Sequence, residues 1–175
     1  MSNPAAAQEY PAKPIRIIIT GCAGGSTDVV ARIVGDKLAG VMGQGFVYDN
    51  RPGASGIIAA ELAAKSAPDG YTMYLGTTGG LAINVSLFKK LPYDPARDFA
   101  PIALVGTQPY MLIAHPSVPV KSVAELIKLA KRAPGQISFS HTGIGSATHL
   151  AGALLESTAG VVFLSVPYKS PAHFT

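Results

Sequence analysis

The chain repeats one local pattern: a short β-branched run, a glycine-rich turn, then an apolar stripe at helical spacing. Pro14-Ile-Arg-Ile-Ile-Ile-Thr20 is the first such run. Near-continuous apolar runs of this length belong to strands buried on both faces of a parallel sheet. It leads into Gly21-Cys-Ala-Gly-Gly-Ser-Thr-Asp28, after which Val29, Val30, Ile33, Val34, Leu38 and Val41 recur with the helical period. Ser26 or Thr27 is placed to cap that helix, and Asp28 suits its first turn. The unit then returns. Phe46-Val-Tyr48 is a second strand, and the turn from Asp49 to Gly56 opens a helix running to about Lys65. Tyr71-Thr-Met-Tyr-Leu75 is a third strand, ending in Gly76-Thr-Thr-Gly-Gly80. Parallel strands need a crossover between them, so strand–helix alternation commits the chain to an α/β fold.

Past Pro92-Tyr-Asp-Pro95 the pattern loosens. Residues 102–105 and 110–114 read as strands separated by a crossing segment that begins at Gly106. Ser122-Val-Ala-Glu125 is a capping box, predicting a helix to about Arg132 that Pro134-Gly135 ends. Ile137-Ser-Phe-Ser140 reads as a strand, followed by the loop from His141 to Ser146, a helix carrying Leu150, Leu154 and Leu155, and a stop at Gly160. Residues 161–166 form the last expected strand.

Composition narrows the class. Apolar residues make up 48% of the 175 and charged residues only 14%, the reverse of a disordered chain. Mean hydropathy is +0.31, yet no apolar run approaches the ~18–20 residues of a spanning helix. The net charge of +4 comes from scattered cations, and the short run Lys128, Lys131 and Arg132 reads as a solvated helix face rather than a nucleic-acid patch. A mild positive balance suits small anionic ligands. The lone cysteine, Cys22, excludes a disulfide framework and a cysteine metal site, and reads as a small buried side chain at a strand end. Ala5-Ala-Ala7 before Gln8-Glu-Tyr-Pro11 resembles the end of a cleaved secretory leader.

The loops 23–28, 76–80 and 142–146 each follow a strand and combine glycine with Ser or Thr. In open α/β sheets ligands sit beyond the carboxyl ends of strands, and helix N-termini offer unpaired N–H groups to an anion. Ser26, Thr27, Thr77, Thr78, Thr142 and Ser146 add hydroxyl donors. Residues 21–25 lack the Lys-Ser/Thr of a phosphate loop, and Gly143-Ile-Gly145-Ser-Ala-Thr148 lacks the third small residue of the dinucleotide fingerprint, so a carboxylate fits better than a nucleotide. Ser146 and His149 stand one helical turn apart. That spacing serves a hydrolytic pair or an N-cap with its first-turn partner, and no acid is placed to orient the imidazole. His141, His149 and Glu156 do not match a recognised zinc spacing. Tyr168 and Lys169 line a cleft or lie on the surface.

The strings together are similar to one family. Tyr10-Pro-Ala-Lys-Pro-Ile-Arg-Ile17, Ala23-Gly-Gly-Ser-Thr-Asp28, Asn50-Arg-Pro-Gly-Ala-Ser-Gly56, Ala67-Pro-Asp-Gly-Tyr-Thr72 and Leu91-Pro-Tyr-Asp-Pro95 with Asp98-Phe99 resemble the Bug-type substrate-binding proteins of tripartite tricarboxylate transporters. So do Pro134-Gly135, Gly143-Ile-Gly-Ser146 with His149-Leu150, and Val166-Pro-Tyr-Lys169. The resemblance implies a periplasmic, two-lobed, hinge-closing protein of the type II periplasmic-binding class that takes small organic carboxylates without a cofactor. It implies that Ala23, Gly24, Gly25, Ser26, Thr27 and Asp28 hold a ligand carboxylate, partly through water. Thr77, Thr78 and Gly79 would flank the cleft, and Ser140, Thr142, Gly143, Gly145, Ser146 and His149 would contribute from the second lobe. The implied partners are the transporter's integral membrane subunits. Gly21-Cys22 stands where the family carries a proline-containing turn, so the pocket edge differs.

The organisation expected is residues 1–13 as leader remnant and extension, 14–105 as a first α/β lobe, and 106–175 as a partial second lobe. Family members continue where this chain turns to Ser170-Pro-Ala-His-Phe-Thr175, so an incomplete second lobe with exposed sheet edges is expected, and with it dimerisation. Two readings stand beside the carboxylate receptor: a fragment that dimerises and binds nothing, and a hydrolase using Ser146 and His149.

Overall fold

The computed structural model describes residues 10–168; the leader-like Ala5 to Ala7, Lys169 and the sequence from Ser170 onward lie outside them. Strand β1 (Ile15–Ile19) is the centre of a three-stranded parallel sheet, flanked by β2 (Phe46–Asn50) and β3 (Thr72–Leu75). Ile17 stands opposite Tyr48 on one side and Met73 on the other. Ile15, Ile18 and Ile19 are fully buried, as the apolar run requires of a central strand covered on both faces. Helix α1 (Ser26–Met42) joins β1 to β2, and α2 (Ile57–Ala64) joins β2 to β3. A short π-turn (Gly79–Ile83) and α3 (Asn84–Leu87) follow β3, where only a loop was expected.

Helix α1 departs from its sequence pattern. Its buried face is Asp28, Ala31 and Gly35, while Ile33 and Val41 are 60% and 85% exposed. The reason is close approach. Gly35 lies against the Tyr48 ring, where a Cβ would collide, so small residues face the sheet and the branched ones face outward. Neither Ser26 nor Thr27 caps the helix. Gly25 occupies the N-cap with no side-chain bond, and the Thr27 hydroxyl donates to the Thr20 carbonyl instead. Cys22 is partly exposed in the loop after β1 rather than buried.

The second sheet pairs β4 (Ser138–His141) with β5 (Leu164–Pro167) in parallel, joined by α5 (Ala147–Ala159). Helix α4 (Val123–Arg132) precedes it. Ser122 accepts the Glu125 N–H at 3.2 Å, and Glu125 returns the contact to the Lys121 N–H, the expected box shifted by one residue. Leu126, Ala130, Val161 and Phe163 form the core here, with Ile137, Phe139 and Leu155 packed around it. Lys128, Lys131 and Arg132 lie on the exposed face of α4. Gly152 of α5 meets the Phe139 ring where a Cβ would stand. Gly152→Ala is therefore expected to lower unfolding free energy by about 2 kcal/mol through overpacking, read as a lower urea midpoint at unchanged slope.

Residues 100–115 form no strand, which corrects the two expected over 102–105 and 110–114. The side chains have strand character, but a strand exists only as a ladder, and none of the described strands pairs with them. Ile102, Leu104, Met111 and Ile113 are consequently 76–85% exposed. No described helix is long and apolar enough to cross a membrane.

Candidate functional site

With strand order β2-β1-β3, the switch point, beyond which open α/β sheets bind ligands, lies at the carboxyl ends of β1 and β3. The loop after β1 lies at this end of the sheet. Gly24 takes φ +77°, which a side chain would resist, and its N–H donates to Asp28 Oδ2 at 2.9 Å. Gly25 N–H donates to the Cys22 carbonyl, and Asn50 Nδ2 to the Gly21 carbonyl. These bonds fold Ala23, Gly24, Gly25 and Ser26 into a partly open rim at the uncapped start of α1, with Thr27 tied back to Thr20. The first-turn N–H groups of an α-helix have no partner within the helix.

Asp28 is 2% exposed. Its Oδ2 also accepts Arg32 Nε at 3.0 Å, and Oδ1 has no hydrogen-bond partner among the described residues. The Arg32 bond, followed by the Gly24 N–H, lowers its pKa to about 2, against the opposing effect of burial. Asp28 is thus an anion whose charge is consumed inside the loop, and it shapes that loop.

Thr77, Thr78 and Gly79 follow β3 and lead into the π-turn. Gly79 is buried, Thr78 exposed, and the Thr77 carbonyl accepts the Leu81 N–H. Tyr93 donates its hydroxyl to the Gly80 carbonyl at 2.6 Å and pins the turn from behind.

The loop after β4 is self-bonded around Thr148. The Thr148 Oγ1 accepts the Thr142 N–H at 3.1 Å and lies 3.0 Å from both the Thr142 and Ser146 hydroxyls. Ser146 caps α5 by accepting the His149 backbone N–H, the cap alternative of the sequence reading. The His149 imidazole takes the Gly145 N–H at Nδ1, and His141 takes the Gly143 N–H in the same way. Ser140 sits in β4 opposite Val166. The residues 23–27, 77–79 and 142–146 contain no Lys or Arg, so an anion there would meet N–H groups and hydroxyls. Among the described residues no group of three His, Cys, Asp or Glu side chains is placed to hold a metal. A hollow of 570 Å³ is lined by Phe88, Lys89, Lys90 and Arg97, and Phe88 also packs near Gly145 of the loop after β4.

Sequence reasoning missed Ser55, Asn84 and Thr148. Ser55 donates its hydroxyl to the Ile144 carbonyl and so joins the β4 loop to the first sheet unit. Asn84 is fully buried and donates to the Ser55 carbonyl at 3.1 Å. Thr148 could have been found as a hydroxyl two residues past a capping serine; nothing local marks the other two.

Residues 30–174 match the family described as the tripartite tricarboxylate transporter family receptor. The chain belongs to this receptor family. It is 38% identical to protein BugT of Bordetella pertussis over 170 residues, which is 97% of this chain and 52% of BugT. Among solved structures, an R. palustris protein with adipate matches at TM-score 0.83 and 37% identity, over 94% of this chain and 55% of that one. MatC from Rhodopseudomonas palustris with bound malate matches at TM-score 0.84 and 32% identity, over 92% and 55%. The periplasmic binding protein BugD matches at TM-score 0.81. The α/β architecture with parallel sheets is that of these binding proteins, as the sequence strings implied. The chain spans about half the length of the curated relatives it matches.

Proposed function

We propose that this chain is a periplasmic receptor that captures a small mono-, di- or tricarboxylate and presents it to the integral membrane subunits of a tripartite tricarboxylate transporter. The observation carrying the reading is the rim from Ala23 to Thr27. It sets an uncapped helix start beyond β1, with the Asp28 carboxylate buried and paired with Arg32. A ligand carboxylate fits that environment, since helix N-termini favour anions and backbone donors need no counter-charge. In this reading Ser26 and Thr27 supply N–H groups, Thr77, Thr78 and Gly79 flank the ligand, and Thr142 to Ser146 close over it from a second lobe. The relatives solved with adipate and malate support the ligand class.

The expected result is a rise in melting temperature of the full chain with adipate, L-malate or citrate, and no response to the neutral diamides of the same acids. A ligand at a hundred times its Kd stabilises by about 2.7 kcal/mol, an easily read shift. A flat response from folded protein to every acid rejects the reading. The exposure of Ile102, Leu104, Met111 and Ile113 favours the second reading, self-association through this unpaired segment. Light-scattering mass on the same samples separates a dimer that binds from a dimer that does not.

A further inference from the structure

We propose that Ser55 is a latch between the two sheet units, a positioning residue that holds the 142–146 loop over the strand ends of the first sheet. Four successive residues, Gly53, Ala54, Ser55 and Gly56, have positive φ, at 114°, 45°, 53° and 88°. Glycine adopts such values freely; alanine and serine do so only where their surroundings over-determine them. Those surroundings are in view. The Ser55 carbonyl accepts from the buried Asn84, and a Cβ on Gly56 would come within 2.8 Å of Thr20 Cγ2, so the first unit fixes the turn from one side.

From the other side the Ser55 hydroxyl donates to the carbonyl of Ile144, 89 residues along the chain. It lies between two glycines of that loop: a Cβ on Gly143 or Gly145 would stand 3.9 or 3.8 Å from Ser55 Oγ. Both glycines have positive φ, a loop conformation that a residue with a side chain would adopt only under strain. The strained turn is therefore offset by contacts on two elements, one of which can leave. With the loop docked, Ser55 is held left-handed from both sides; with the loop away, the Asn84 bond, the Gly56 N–H to Gly53 carbonyl bond and the close approach to Thr20 remain to oppose relaxation. Such strain gathers at ligand clamps and switch segments. The latch exists in the ligand-free chain, and its effect on ligand release rests on the carboxylate-receptor reading.

Two variants of the ligand-free full chain test it by residue-resolved amide hydrogen exchange. Ser55→Ala removes the hydroxyl and keeps the strain. Ser55→Gly removes the hydroxyl and relieves the strain, so global stability falls in the first and holds or rises in the second. The latch predicts about three- to tenfold faster exchange at Gly143, Gly145 and Ser146 in both, with the β1 amides tracking global stability only. Loop rates that follow global stability, faster in the alanine variant and slower in the glycine one, overturn the latch. Wild-type loop rates in either variant overturn it too, and should Ser55→Ala fail to fold, Ser55→Gly alone decides. With adipate as probe, the dissociation rate should rise by the same factor at unchanged association rate, and unchanged release from a chain that binds adipate overturns the latch. A chain that binds none of adipate, L-malate and citrate rejects the receptor reading and leaves the exchange result to judge the latch.

Discussion

Replacing Asp28 with alanine is expected to lower unfolding free energy by about 3 kcal/mol and to weaken adipate or malate binding at least tenfold. The carboxylate is buried, and its Oδ2 holds both the Gly24 N–H and the Arg32 guanidinium. Truncation leaves an amide donor in the loop and an arginine at its edge without their acceptor. Arg32 remains stacked over the Tyr48 ring, 4.7 Å from its centroid, so a positive charge is left against the base of the loop. Asp28→Asn keeps an oxygen for Gly24 and should fall between. The pH dependence has a definite sign. The folded-state pKa, about 2, lies below the ordinary 3.8, so the unfolded chain binds the proton first. The Asp28 contribution is fully present above pH 3.8 and is lost as pH falls toward 2. Denaturation curves of wild type and Asp28→Ala should therefore converge in that window. Equal stability and equal adipate affinity at pH 7 would show that Asp28 does not shape the loop.

The elements that could be read from sequence are those decided locally. The isoleucines of β1 have one place to go, the middle of a covered sheet, and Ser122 and Ser146 announce their helices because a cap needs only the next three residues. The glycine loops at strand ends were legible for the same reason, since turn geometry and glycine are linked residue by residue. What was hidden depends on distant partners. The apolar stripe of α1 pointed the wrong way because Gly35 must clear Tyr48, a contact across the sheet that hydrophobic spacing does not encode. Residues 102–105 and 110–114 have the side chains of strands and lack a ladder among the described residues. Ser55 was invisible because its conformation is set by Asn84 and Ile144, far away in sequence. The glycine loops at the strand ends were thus readable, and the contact joining two parts of the chain through Ser55 was not.

His141 makes the second large effect. It is fully buried at the end of β4, its ring 4.7 Å from that of His149 and 6.3 Å from that of Phe139. Its Nδ1 accepts the Gly143 N–H at 3.2 Å, which leaves the proton on Nε2 to donate to Ser165 Oγ at 2.8 Å. Only the neutral ring can do both. Burial, with His149 acting in the same direction, holds its pKa below the ordinary 6.5. Because the folded value is the depressed one, the unfolded chain binds the proton more readily. The contribution is fully present above pH 6.5 and is lost as pH falls toward the folded pKa. Protonation sets an N–H on Nδ1 against the N–H of Gly143 and pushes the 142–146 loop off its anchor, so adipate affinity should fall with stability between pH 7 and 5. His141→Asn places an amide oxygen where Nδ1 accepts and removes the titration. It is expected to lose about 3 kcal/mol at pH 7.5, through the cavity and the unpaired Ser165, while its melting temperature stays flatter toward pH 5 than that of wild type. A His141→Asn chain that keeps the full acid slope would assign the slope to another group, with His149 the next to replace.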